Sequence, residues 1–132
     1  MITRTISEKL KNLYLKFPIV SVVGPRQSGK TTLVKNVFPR LKYVSLEELD
    51  NREFALRDPR GFLSTYGNGA IIDEAQRVPD IFSYIQAEAD RRGSAGQFIL
   101  TGSQNILLLE NVSQTLAGRV AILRLLPFSL EE

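Results

Sequence analysis

The stretch that decides the fold runs Ile19-Val20-Ser21-Val22-Val23, then Gly24-Pro25-Arg26-Gln27-Ser28-Gly29-Lys30-Thr31-Thr32, then Leu33-Val34-Lys35-Asn36-Val37-Phe38. Its centre has the form G-x-x-x-x-G-K-[ST], preceded by a short apolar run and followed by residues of helical character. A buried strand, a glycine-bearing loop and a helix in that order make a phosphate cradle. Backbone N–H groups of the loop and the first helical turn converge on anionic oxygens, and the helix dipole adds to their field. The side chain of Lys30 then reaches the terminal phosphates of a nucleoside triphosphate, and the Thr31 hydroxyl ligates Mg²⁺. Gly24 and Gly29 are expected where the turn excludes a side chain. Residues Gly24 to Thr32 are the predicted nucleotide-binding stretch, with Arg26 either solvated or on the adenine side.

Outward from the loop, the chain alternates strands and helices. Upstream, Ile6, Leu10, Leu13, Tyr14 and Phe17 recur at helical spacing behind a Thr5-x-x-Glu8 capping box, and Pro18 closes that helix. Downstream, Lys42-Tyr43-Val44-Ser45 reads as a second strand, and Glu47 to Arg57 as a charged helix. Gly67-Asn68-Gly69 marks a turn before Ala70-Ile71-Ile72-Asp73-Glu74, a buried strand ending in two acids. A helix with Ile81, Tyr84, Ile85 and Glu88 on one face stops at Gly93-Ser94-Ala95-Gly96. Gln97 to Leu100 is a fourth strand, and Val120 to Leu126 a fifth, at a sheet edge because it carries Arg124. Short apolar strands between helices predict an α/β fold: a three-layer αβα P-loop NTPase with a five-stranded, mostly parallel sheet. Its ligand site lies at the carboxyl ends of the strands.

Those ends hold the remaining chemical residues. Asp73 and Glu74 form a Walker B element, in which Asp73 holds Mg²⁺, mostly through water, and Glu74 polarises the attacking water. Thr101-Gly102-Ser103-Gln104 ends the fourth strand, where Ser103 and Gln104, with Thr101 behind them, either sense the γ-phosphate or attacking water or serve as ordinary turn residues. Arg119, before the fifth strand, is a candidate arginine finger acting within the chain or on a neighbouring copy, and so a route to self-association. No N-K-x-D element for guanine occurs, which favours ATP over GTP.

Bulk properties narrow the chemistry further. The 132 residues contain no cysteine and no histidine. Disulfides, thiolate metal sites and a histidine general base are thereby excluded. Residues 1–42 hold nine Lys or Arg against the lone acid Glu8, whereas residues 43–132 hold eight against thirteen, and the net charge is +3. The basic half is either a solvated face or, through Lys9, Lys11 and Lys16, a nucleic-acid contact. Without a membrane-length apolar run or a signal-peptide core, the expected compartment is the cytoplasm, with no membrane partner.

The segments G-P-R-Q-S-G-K-T-T-L, I-I-D-E-A-Q-R-V-P-D-I-F, F-I-L-T-G-S-Q and L-A-G-R, closing on L-P-F-S-L-E-E, resemble prokaryotic AAA-type ATPases. These are related to the archaeal ATPase and STAND-like branch of P-loop proteins. The resemblance covers nearly the whole chain and implies Lys30 and Thr31 on phosphate and Mg²⁺, Asp73 and Glu74 as Walker B, Ser103 or Gln104 as sensor, and Arg119 as finger. It also implies that residues 1–132 are the ATP-binding domain of a longer protein, because family members continue into a winged-helix-like piece and a domain of unknown function. The fold expected of these 132 residues has no C-terminal lid and no second sensor arginine after the fifth strand. The expected activity is slow Mg-ATP hydrolysis to ADP and phosphate, coupled to conformational change. The alternative is a nucleotide-gated binding module with a protein or DNA partner and little turnover.

Overall fold

The computed structural model describes residues 4–25, 29–102 and 120–125. Five strands carry the architecture: β1 (Ile19–Val23), β2 (Lys42–Ser45), β3 (Ala70–Asp73), β4 (Phe98–Gly102) and β5 (Val120–Arg124). They lie in the order β2-β3-β4-β1-β5, and every pairing is parallel. The helices are α1 (Arg4–Lys16), α2 (Lys30–Val37), α3 (Leu49–Arg57), α4 (Pro59–Ser64) and α5 (Ile81–Arg92), with a 3₁₀ turn at Ala75–Arg77.

The period of two along each strand divides the core into two layers. Ile19 and Val23, Ile72, and Phe98 and Leu100 point to one face, where Phe62, Leu63, Ile81, Phe82 and Ile85 cover them. Val20 and Val22, Ile71, Ile99, Ala121 and Leu123 point to the other, under Leu10, Leu33 and Val34. Helices α4 and α5 thus close one side of the sheet and α1 and α2 the other, the expected αβα sandwich. The rings of Phe62, Phe82 and Phe98 are essentially inaccessible, and removing each from water is worth roughly 2–3 kcal/mol. Strand β5 is an edge strand on which Ala121 and Leu123 are buried while Ile122 and Arg124 face outward. The placement expected from Arg124 is therefore observed.

Local chemistry explains most boundaries. Gly93 ends α5 in the left-handed region at φ 68°, and its N–H donates to the Ala89 carbonyl. Asp58 caps α4 by accepting from the Gly61 N–H at 3.0 Å, with Pro59 next in line. That is a regular helix start in a stretch where periodicity alone had suggested none. Two expectations need correction. Helix α1 already includes Arg4, so Thr5 lies inside it and does not cap it. Strand β3 ends at Asp73, and Glu74 leaves it in the left-handed region at φ 56° and ψ 45°. Among the described residues no helix is long and apolar enough to cross a membrane.

Candidate nucleotide site

Strand β1 lies in the interior of the sheet, between β4 and β5, and α2 is the next element after it along the chain. The Gly24 N–H donates to the Gly102 carbonyl at 3.2 Å, which ties the start of the loop to the end of β4. Gly29 precedes α2 in the left-handed region at φ 84°, a conformation that costs a side-chain-bearing residue about 1 kcal/mol or more. Gly24 does not share it, so the conformational demand for glycine falls on Gly29. Helix α2 starts without a side-chain cap and without an acid in its first turn. Its leading N–H groups have no built-in anionic partner of that kind, the condition under which a helix start accepts phosphate.

Lys30 is buried, 3% exposed, and its Nζ donates to the Pro25 carbonyl at 3.2 Å. An ammonium so far from water needs strong acceptors, and the Pro25 carbonyl is one of them. Thr31 is half-buried and Thr32 exposed. Arg26, Gln27 and Ser28 lie outside the described residues, as do Ser103, Gln104 and Arg119. The structure places Gly24, Pro25, Gly29, Lys30 and Thr31 after the carboxyl end of β1, and Asp73 and Glu74 at the carboxyl end of β3, one strand away across β4.

Strand β4 stands between these two groups and touches both. While Gly102 accepts from Gly24, the Thr101 hydroxyl donates to Asp73 Oδ1 at 2.5 Å. The other carboxylate oxygen, Oδ2, accepts from the Tyr43 hydroxyl of β2, also at 2.5 Å. Two hydroxyl donors from two flanking strands hold Asp73 in one orientation, and each oxygen keeps further lone-pair capacity. Thr101 stood behind Ser103 and Gln104 in the sequence reading, and here its hydroxyl contacts the acid. Tyr43 was not anticipated. Its ring also lies under Lys35, whose Nζ is 3.9 Å from the centroid.

Burial raises the Tyr43 pKa, and the hydrogen bond to Asp73 and that carboxylate's charge raise it further, with a smaller opposing effect from Ser45. The folded protein therefore keeps this phenol protonated after the unfolded chain, titrating near its usual ~10, has lost it. That contribution to stability is complete below pH ~10 and is lost as pH rises toward the folded-state value. Urea unfolding between pH 9 and 11.5 should show the parent losing stability more steeply than Tyr43→Phe above pH ~10. Parallel curves would exclude the Tyr43–Asp73 bond as the source.

Glu74 is buried, 8% exposed. Its Oε1 accepts from the Gln76 amide at 2.7 Å. Among the described residues no cluster of three metal-ligating side chains occurs.

Known proteins resemble this chain in sequence and in fold. A family model described as an AAA domain matches residues 16–132. The chain belongs to that family. The AAA domain is 34% identical over 125 residues to uncharacterized proteins of Mycobacterium bovis and Mycobacterium tuberculosis, covering 92% of this chain and 28% of each relative. It thus spans little more than a quarter of the relatives' length. In fold, the AAA domain is similar to a Walker-type ATPase of Pyrococcus abyssi, with a TM-score of 0.63 at 16% identity, over 97% of this chain and 54% of that one. It is also similar to a DNA replication initiation factor, with a TM-score of 0.62 at 18% identity, over 92% of this chain and 44% of that one. The family makes it an AAA domain, and the likenesses show the P-loop NTPase fold, here with an all-parallel sheet.

Proposed function

We propose that this domain binds Mg-ATP between the start of α2 and the acid end of β3, and hydrolyses it slowly to drive a conformational change. The observation that carries the reading is the tie through β4. One strand end fixes the phosphate loop through Gly102 and the acid through Thr101. Gly29, Lys30 and the first N–H groups of α2 hold the phosphates. Thr31 and Asp73 would hold Mg²⁺, which supplies charge neutralisation on the phosphate oxygens. Glu74 orients a water and accepts its proton. The water oxygen bonds to the γ-phosphorus while the bond to the β–γ bridging oxygen breaks, its electron pair leaving on ADP. The proton taken by Glu74 passes on to the product phosphate. Ser103 or Gln104 would sense the γ-phosphate and Arg119 would neutralise the transition state, in the roles the family resemblance implies.

Equilibrium binding of ATP to the parent and to Lys30→Ala tests this directly. Losing a charge-assisted contact of about 1.5–3 kcal/mol should weaken binding about 10- to 150-fold. Unchanged affinity would remove the phosphate assignment. Lys30-dependent binding without turnover would instead favour the second reading, a nucleotide-gated binding module. Its candidate contact is the exposed face of α1 with Lys9, Lys11 and Lys16.

A further inference from the structure

The turn after β3 combines two unfavourable features within three residues. Glu74 occupies the left-handed region, the one residue other than glycine among those described to do so. Two positions on, Gln76 donates its amide to Glu74 Oε1 at 2.7 Å while its own Oε1 is buried and has no hydrogen-bond partner among the described residues. Turning the amide over would not relieve this, because the carbonyl oxygen would then face the carboxylate. A backbone strained at a side-chain-bearing residue and an unpaired buried acceptor persist together only where the surroundings impose them. Both serve one result here: the Glu74 carboxylate is held by one named oxygen.

We propose that Gln76 is the positioning residue for Glu74, occupying Oε1 so that Oε2 is the oxygen left to take the proton of the attacking water. The inference rests on the hydrolytic reading above and deepens it. Without the Gln76 amide the carboxylate rotates among several orientations, and a misplacement of about 1 Å at a reacting group costs about 10²-fold in rate. The proposed phosphate contacts are those of Gly29, Lys30 and the start of α2, so nucleotide affinity is expected to be independent of Gln76.

The test is steady-state hydrolysis with parallel ATP binding for the parent, Gln76→Ala, Glu74→Gln and the double variant. Gln76→Glu, which keeps the side-chain volume but removes the donor, is measured beside them. Both Gln76 variants should keep parental ATP affinity and lose kcat about 10²-fold. In the Glu74→Gln background Gln76→Ala should cost nothing further, because the two residues act as one unit. Should Gln76→Ala unfold, Gln76→Glu decides alone. Parental kcat in either Gln76 variant overturns the proposal while leaving the hydrolytic reading intact. So does a full additional loss in the double variant, or loss of ATP binding in step with kcat. A parent that binds ATP and never turns it over removes the hydrolytic reading, and the role of Gln76 falls with it.

Discussion

A Glu74→Gln variant is expected to bind Mg-ATP as tightly as the parent and to hydrolyse it about 10²- to 10⁴-fold more slowly, the range that a positioned general base contributes. The substitution is nearly isosteric in a buried turn where Glu74 is 8% exposed, so packing is preserved. What changes is the acceptor. The Gln76 amide still finds an oxygen at position 74, but the remaining group is then a neutral amide that cannot take a proton from water. The proposed phosphate contacts are those of Lys30 and the start of α2, so affinity is expected to be insulated from the change. Isothermal titration with ATP and a phosphate-release assay on the same preparation separate the two quantities. Hydrolysis at the parental rate would remove Glu74 as water-orienter. Equal losses in binding and turnover would make it a structural residue of the turn.

How far this site was legible beforehand depends on how each residue is determined. The strand–loop–helix around Gly29 and Lys30 is a local object, and its period switch and glycine spacing are written in consecutive residues. Asp73 was legible for the same reason, as an acid closing an apolar run. Tyr43 was not. Its hydroxyl meets Asp73 only because β2 pairs with β3 in a register that places Ser45 beside Asp73, and nothing near Tyr43 in sequence encodes that partner. Thr101 was read as a background residue because its hydroxyl could be placed only once β3 and β4 were known to be neighbours. Position 74 failed in the opposite sense. Glutamate is no left-handed turn residue, so Asp73-Glu74 reads as two strand residues, whereas the chain turns at the second. The Gln76 contact that accompanies this turn has no sequence signature either. Helix α4 could have been found: Asp58-Pro59 is a cap followed by an N1 proline, a signal hidden by the shortness of the six-residue helix.

An Asp73→Asn variant should separate folding from chemistry at the most constrained carboxylate of the site. Asp73 is 7% exposed, and its partner Thr101 is fully buried. In the parent both hydroxyls donate to the carboxylate. An asparagine offers one acceptor and one donor at the same two positions, and a hydroxyl can accept as readily as it donates. One of the two hydroxyls, Tyr43 or Thr101, then reverses its bond, and the unfolding midpoint changes little. Asp73→Ala differs, because Thr101 is left buried with its hydroxyl unpaired, at a cost of about 1–3 kcal/mol. Turnover should suffer in both variants. The lost negative charge is the protein's anionic contribution to the proposed Mg²⁺ site, and metal stabilisation of phosphoryl transfer is worth several kcal/mol, or about 10³-fold in rate. Titrating Mg²⁺ at fixed ATP should show binding to the parent strengthened by the ion and binding to Asp73→Asn indifferent to it. A variant that keeps the parental Mg²⁺ response would place the ion away from Asp73. The paired hydroxyls of Tyr43 and Thr101 would then be a structural clasp between β2, β3 and β4, with the melting temperature of Asp73→Ala as their measurable effect.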